Sequence, residues 1–190
     1  MTQQSKTKPI VSLLDAKNLA LNQIKAYIKR SYDIKTALQT QSWEATCKGK
    51  HVLSVFFEHS TRTRVSFELA IHQLGAKPIL FDVALSSSKK GETLEDMMQN
   101  LEALGVDAFV IRHYENHIPH QVASYVNKPI INAGDGSHEH PTQALLDVFS
   151  IEERLGDDWK NRRILICGDI LHSRVAHSNM WLLKTLGAEV

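Results

Sequence analysis

Hydroxyl and guanidinium side chains alternate in the segment Ser60–Arg64, which reads Ser-Thr-Arg-Thr-Arg. Residues 51–56, just before it, have the β-branched and aromatic content of a buried strand, and apolar residues at helical spacing follow from Phe67 to Leu74. The pattern predicts that the segment lies at a helix N-terminus, where the first backbone N–H groups have no partner within the helix. Backbone amides, hydroxyls and a guanidinium can bind a phosphate together at such a position. We call this segment the anion cradle.

A purely structural interpretation explains the same residues without a ligand. In it, Ser60 or Thr61 caps the helix, while Arg62 and Arg64 lie on its solvated face. A single Ser-Thr pair favours this interpretation. Two arginines interleaved with three hydroxyls favour anion binding.

Two more polar groups follow predicted strands. Arg112 comes directly after a strand at 107–111, where it is either a charged strand end or part of a site. The tetrapeptide His140–Gln143 follows a strand at 129–132. Because Pro141 is typical of the first position of a helix, His140 and Gln143 are expected beside a second helix N-terminus.

Other polar stretches give weaker signals. His138 and His140 are two residues apart in a loop, without a helical His pair or a nearby Cys, so the sequence predicts no metal site here. The basic loop at 85–92 is by itself typical of a solvated linker. The segment 168–178 lacks the glycine spacing of a dinucleotide-binding turn.

Short apolar strands and amphipathic helices alternate along the chain and must position these residues. After one or two scaffold helices between residues 13 and 38, the predicted pairs are strand 51–56 with helix 61–74, strand 78–82 with helix 93–104, strand 107–111 with helix 117–126, and strand 129–132 with helix 141–155. This order predicts an α/β fold, a doubly wound parallel sheet with helices on both faces. Ligands of such sheets bind at the carboxyl ends of the strands.

The polar segment 156–161 indicates a domain boundary, which gives a first domain at 1–155 and the beginning of a second, similar domain at 156–190. In the second part we expect a strand at 163–169, a helix at 172–186 and the start of another strand after Gly187. A lone strand and helix cannot bury their own apolar face, so this part should pack on the first domain or be poorly ordered.

The composition of the chain argues against several classes of protein. The 190 residues are 43% hydrophobic and 23% charged with a formal net charge of +1, which is typical of a globular protein and disfavours nucleic acid as a partner. No apolar run approaches the roughly 18 residues of a membrane span, and the N-terminus has no signal-peptide pattern. Two cysteines without metal or redox spacing fit a reducing, cytoplasmic location.

Four motifs in the same order resemble the aspartate/ornithine carbamoyltransferase family from about residue 10 to the end. They are Ser60–Arg64, Arg112, the His-Pro-Thr-Gln of residues 140–143, and the turn at 168–178. The stretches 90–93 and 132–140 resemble the aspartate enzymes more than the ornithine ones. The resemblance also implies that the family's closing loop and its main aspartate-binding arginine belong to a later part of the second domain.

The resemblance implies a role for each matched residue. The phosphate of carbamoyl phosphate would bind to Ser60, Thr61, Arg62 and Thr63. Arg112 would bridge the phosphate and the carbonyl oxygen.

His140 would polarise that carbonyl together with Thr63 and Arg112, and Gln143 would receive the amide. Ser86 and Lys90 would reach the active site of a neighbouring subunit in a homotrimer, with Lys90 also binding aspartate. Arg174 would bind the amino-acid substrate, and His177 stands where many relatives carry Arg.

The resemblance implies carbamoyl transfer from carbamoyl phosphate to the α-amino group of L-aspartate in pyrimidine biosynthesis, without a cofactor. The alternatives are an ornithine carbamoyltransferase and an anion-binding or assembly module without turnover. The 190 residues alone are expected to bind carbamoyl phosphate only. Further assembly with regulatory or dihydroorotase chains stays open.

Overall fold

In a computed structural model, residues 11–81 and 92–190 are described. The helices and strands are α1 (Leu21–Gln39), β1 (His51–Phe56), α2 (Thr61–Gln73), β2 (Lys77–Phe81), α3 (Leu94–Ala103), β3 (Ala108–His113), α4 (Ile118–Tyr125), β4 (Ile130–Asp135), α5 (Pro141–Leu155) and α6 (Arg174–Leu186), with a short 3-10 turn at Trp159–Asn161. Among the described residues, no helix is both long and apolar enough to cross a membrane.

The four strands form one parallel sheet in the order β2-β1-β3-β4. Side chains alternate between its faces, so Leu53, Val55, Phe109 and Ile111 share one buried cluster with residues of α3 and α4. Helix α2 packs against β1 and β2, and α5 packs against β4. The structure confirms the doubly wound parallel fold predicted from the sequence.

The strand order also fixes where a ligand can bind. From β1 the chain crosses to β2 on one side, and the later strand β3 pairs with β1 on the other side. Connections that leave in opposite directions open a crevice at the carboxyl ends of the two central strands. The residues after β1 and those at the end of β3 therefore meet at one edge of the sheet.

Residues 156–190 pack on the helices instead of extending the sheet. Leu182, Leu183 and Leu186 of α6 are buried in a cluster with Ile24 of α1 and Val148 of α5. This packing agrees with the expectation that a lone strand and helix must use the first part of the chain to bury its apolar face.

The strand predicted at 163–169 is wrong as an element. Only one parallel bridge forms, between Arg163 and Glu189, and Leu165 is 88% exposed. The apolar run has strand-like composition, but a strand needs neighbours along its length to pair its backbone groups. Within the described residues, Glu189 alone provides such a neighbour.

Candidate functional site

A cavity of about 700 Å³ lies at the carboxyl edge of the sheet. Its polar lining comes from α2 and its N-cap, the end of β3, the start of α5 and the start of α6: Ser60, Arg62, Thr63, Ser66, Arg112, His140, Thr142, Gln143 and Arg174. The structure therefore brings together seven of the site residues predicted from separate motifs. Ser86 and Lys90 lie outside the described residues.

The anion cradle sits at the N-terminus of α2, as the sequence predicted. Ser60 is the N-cap residue, but its side chain makes no capping hydrogen bond to the helix backbone, and its hydroxyl donates instead to Thr63 Oγ1 at 2.9 Å. The amides of the first turn are thus not satisfied by the Ser60 hydroxyl. This geometry favours the anion-binding interpretation over the structural one.

The cradle divides between two cavities. Thr61 and Arg64 line a second cavity of about 390 Å³, which includes the β1 residue Ser54. Arg64 Nε donates to Glu68 at 3.0 Å one turn further along α2. Ser60 lines both cavities, so the two cavities adjoin at the start of α2.

Arg112 is 7% exposed at the end of β3 and is held by two acceptors. Its Nη1 donates to the carbonyl oxygen of Ala133 at 3.0 Å, and its Nη2 donates to Glu58 Oε1 at 2.5 Å. Arg174 also donates to Glu58, through Nη1 to Oε2 at 2.8 Å and Nη2 to Oε1 at 2.6 Å. One carboxylate directly after β1 thus fixes two arginines from distant parts of the chain.

Sequence reasoning missed Glu58. No local signal identifies it, because its partners Arg112 and Arg174 are 54 and 116 residues away along the chain. Hydrogen bonds from Arg174 and then Arg112 hold the pKa of Glu58 below its usual range. Burial lowers the pKa of Arg112, with the nearby charge of Arg174 as the next cause.

The charge of the site favours an anion. Arg62, Arg112 and Arg174 line the cavity, and Glu58 offsets one of their charges, which leaves a formal charge of +2. The N-termini of α2 and α5 add partial positive charge on two sides. A dianion such as a phosphate ester balances this arrangement.

His140 is the N-cap residue of α5 and is 7% exposed. Its backbone N–H donates to Ser178 Oγ at 2.8 Å, and the Ser178 hydroxyl donates to buried Glu139 at 3.0 Å. Burial, reinforced by the charge of Arg112, lowers the pKa of the His140 ring to about 4. At neutral pH the ring is uncharged, so it can donate a hydrogen bond through one nitrogen and accept through the other.

Gly134 lets three side chains meet at this point. Its φ is +110°, and a Cβ there would lie 2.9 Å from Arg112 Nη1, 3.2 Å from Arg174 Nε and 3.2 Å from His140 Cδ2. The site needs both the left-handed backbone and the missing side chain.

Gln143 and His177 are held by their own partners. Gln143 Nε2 donates to Asp147 Oδ1 at 2.9 Å, and Asn179 of α6 donates to the other oxygen of Asp147 at 2.7 Å. The His177 ring nitrogen Nδ1 lies 2.7 Å from the carbonyl oxygen of Ser137, in the turn before His140. His177 thus ties α6 to the turn that carries a site residue.

Fold and site together define a doubly wound α/β protein with a cationic cavity at the carboxyl edge of its sheet. Residues 12–153 match a family model, described as the aspartate/ornithine carbamoyltransferase, carbamoyl-P binding domain. The chain belongs to the aspartate/ornithine carbamoyltransferase family.

Individual relatives that are similar to this chain are also carbamoyltransferases. The aspartate carbamoyltransferase catalytic subunit of Caldanaerobacter subterraneus subsp. tengcongensis is 47% identical over 178 residues, which are 94% of this chain and 58% of that protein. The catalytic subunit of Parafrankia sp. is 55% identical over 145 residues, which are 76% of this chain and 47% of that protein.

A solved structure of aspartate transcarbamoylase from Trypanosoma cruzi, in complex with carbamoyl phosphate and aspartate, is 34% identical with a TM-score of 0.85. The match covers 90% of this chain and 53% of that one. The chain spans about half the length of the relatives it matches.

Proposed function

We propose that this chain is the carbamoyl phosphate-binding part of an aspartate carbamoyltransferase. The observation that carries the proposal is the convergence of Arg62, Arg112 and His140 on one cavity at two helix N-termini. Residues 1–155 form the carbamoyl phosphate domain, and residues 156–190 begin the aspartate domain. The names of the most similar relatives favour aspartate over ornithine as the acceptor.

In this proposal the phosphate binds at the N-terminus of α2. The phosphate accepts hydrogen bonds from the α2 amides, the hydroxyls of Ser60 and Thr63, and Arg62. Arg112, already oriented by Glu58, spans the phosphate and the carbonyl oxygen, which suits its planar fork of donors. Thr61 lines the neighbouring cavity and contributes its backbone amide to this site.

Carbamoyl transfer then needs a donor where negative charge develops. The Thr142 hydroxyl lies 3.3 Å from His140 Nδ1, and a hydrogen bond donated to Nδ1 leaves the proton on Nε2. That neutral N–H, with Thr63 and Arg112, stabilises the oxyanion, while Gln143 receives the amide. The aspartate amine attacks the carbamoyl carbon, the bond to the phosphate oxygen breaks, and the leaving phosphate takes the amine proton.

The acceptor and the assembly complete the proposal. Arg174 lines both this cavity and a neighbouring one, and it binds the aspartate once the substrate competes for its bonds to Glu58. Ser86 and Lys90 complete the site of a neighbouring subunit in a cytoplasmic homotrimer. Association with regulatory or dihydroorotase chains is compatible with this arrangement.

A calorimetric titration with carbamoyl phosphate tests the binding site. Arg62→Ala removes a charge-assisted hydrogen bond worth ~1.5–3 kcal/mol, so the dissociation constant should rise about 10- to 150-fold. Arg64→Ala is the matched control, because Arg64 is two residues away, lines the other cavity and pairs with Glu68. Equal affinities for both variants would contradict phosphate binding at the anion cradle.

A turnover assay separates the enzymatic functions from a binding module. Radiolabelled carbamoyl phosphate is offered with L-aspartate or L-ornithine to the protein that carries this sequence together with any residues after Val190. Labelled N-carbamoyl-aspartate supports the proposal, and labelled citrulline supports the ornithine alternative. Tight binding without either product would identify a module without turnover.

A further inference from the structure

Three histidines gather beside the turn that follows β4. His117 precedes α4, His120 lies in its first turn, and His138 follows β4. The rings of His117 and His138 are 3.9 Å apart between centroids, and each is 5.9 Å from His120. We call these residues the histidine cluster, and none of them lines the 700 Å³ cavity.

Two carboxylates orient rings of the cluster. His138 Nδ1 lies 2.9 Å from Asp135 Oδ2, and His120 Nε2 lies 2.8 Å from Asp15 Oδ2. When a carboxylate accepts from one ring N–H, the other nitrogen of a neutral imidazole keeps its lone pair. His120 Nδ1 is buried and has no hydrogen-bond partner among the described residues.

The backbone at His117 is strained to hold this position. Its φ is +65°, in the left-handed region that is uncommon for residues with a side chain. The His117 N–H donates to Asp135 Oδ2 at 2.6 Å, so the same carboxylate fixes the backbone of one histidine and the ring of another. Asp135 itself is fully buried.

We propose that the histidine cluster is a site for a divalent transition-metal ion such as Zn²⁺ or Ni²⁺. Ring nitrogens of His117 and His138 are the ligands, and Asp135 holds the ring of His138. Imidazole ligands backed by carboxylates are typical of sites for such ions.

The ligand atoms already lie close to one another. Ligand atoms of His117, His138 and Asp135 lie within 4.8 Å of one another. Two nitrogens bound to one ion at about 2.0–2.1 Å each can be at most about 4.2 Å apart, so the ligand nitrogens of His117 and His138 must lie within that distance when an ion binds. No metal was predicted from the sequence because His138 was compared only with its neighbour His140. The fold instead brings His138 next to His117, which comes from another loop.

Zn²⁺ titration by calorimetry, with the protein in a buffer that does not bind metal, tests the proposal. The wild type should bind one ion, and His117→Gly and His138→Asn should each weaken binding at least about tenfold. His117→Gly is suited to the test because glycine adopts a positive φ without strain, so this variant should fold at least as well as the wild type. His72→Gln is the control, since His72 is exposed on α2 and outside the cluster.

Two further measurements test whether the ion binds at the histidine cluster. Saturating Zn²⁺ should raise the Tm of the wild type and of His72→Gln, but not that of His117→Gly. Co²⁺ in place of Zn²⁺ should give visible d–d bands without thiolate charge-transfer bands, which excludes Cys47 and Cys167 as ligands. Undiminished binding in both cluster variants, or a thiolate spectrum, would overturn the proposal.

Discussion

The two helix N-termini at the anion cavity differ in how much of their chemistry is held in place before a ligand arrives. At α2, Arg62 is exposed and makes no ion pair within the described residues, and the Ser60 hydroxyl leaves the helix backbone uncapped. At α5, His140 is buried, and Gly134 lets it pack against Arg112 and Arg174. The open end can gain bonds from a ligand, whereas the packed end is already part of the core.

This difference separates affinity from stability. Substitutions at the open end should change carbamoyl phosphate binding and leave unfolding nearly unaffected, so Arg62→Ala should alter the free energy of unfolding by less than about 0.5 kcal/mol. Substitutions at the packed end should change both quantities. The following predictions, from the largest effect to the smallest, test the packed end.

The largest effect concerns the pH dependence carried by His140. Its pKa is lowered to about 4 in the folded protein, so between pH 6.5 and pH 4 the unfolded chain binds the extra proton more readily. Stability from this group is complete above pH 6.5 and falls by about 3 kcal/mol as the pH drops to 4. Urea unfolding from pH 7 to 4.5 should therefore show a shallower decline for His140→Gln than for the wild type, and parallel curves would refute the prediction.

Glu58→Gln should have the next largest effect, because it leaves two arginines without their shared carboxylate. We expect a loss of about 2 kcal/mol in the free energy of unfolding, as for hydrogen bonds to charged groups. Inorganic phosphate should then stabilise this variant more than it stabilises the wild type, since an anion replaces the missing charge. Glu68→Gln, which affects only the exposed pair with Arg64, is the control.

Gly134→Ala combines backbone strain with a clash. Gly105→Ala is its matched control, because Gly105 has a φ of +93° and open space around its missing Cβ. We expect thermal or urea unfolding to show about 1.5 kcal/mol more destabilisation at position 134 than at position 105. Equal losses would mean that Arg112 and Arg174 move aside without cost, and the packed end would then be less rigid than described.

Local sequence patterns were sufficient for most of the fold. The strand at 51–56 and the helix at 141–155 were predicted to the residue, because a β-branched run and a Pro141 start are signals contained within the elements themselves. The strand predicted at 163–169 failed because its stability depends on neighbours that the local pattern cannot report.

The site residues also divide into those with a local sequence signal and those whose position depends on tertiary packing. Arg62, Arg112 and His140 were predicted because each lies in a short local motif near the end of a strand that resembles a family motif. Glu58 and the histidine cluster were missed because their partners are far away in sequence: Arg174 is 116 residues from Glu58. Pairings of that kind follow from tertiary packing, which spacing along the chain does not encode.

The formal charge of +2 in the cavity has a kinetic consequence. A concave cationic surface attracts an approaching dianion over several ångströms, which accelerates encounter without adding a contact. Added salt screens this attraction over about 8–10 Å at physiological ionic strength. The association rate of a phosphate ligand should thus fall with increasing salt, while its dissociation rate, set by short bonds inside the pocket, changes much less.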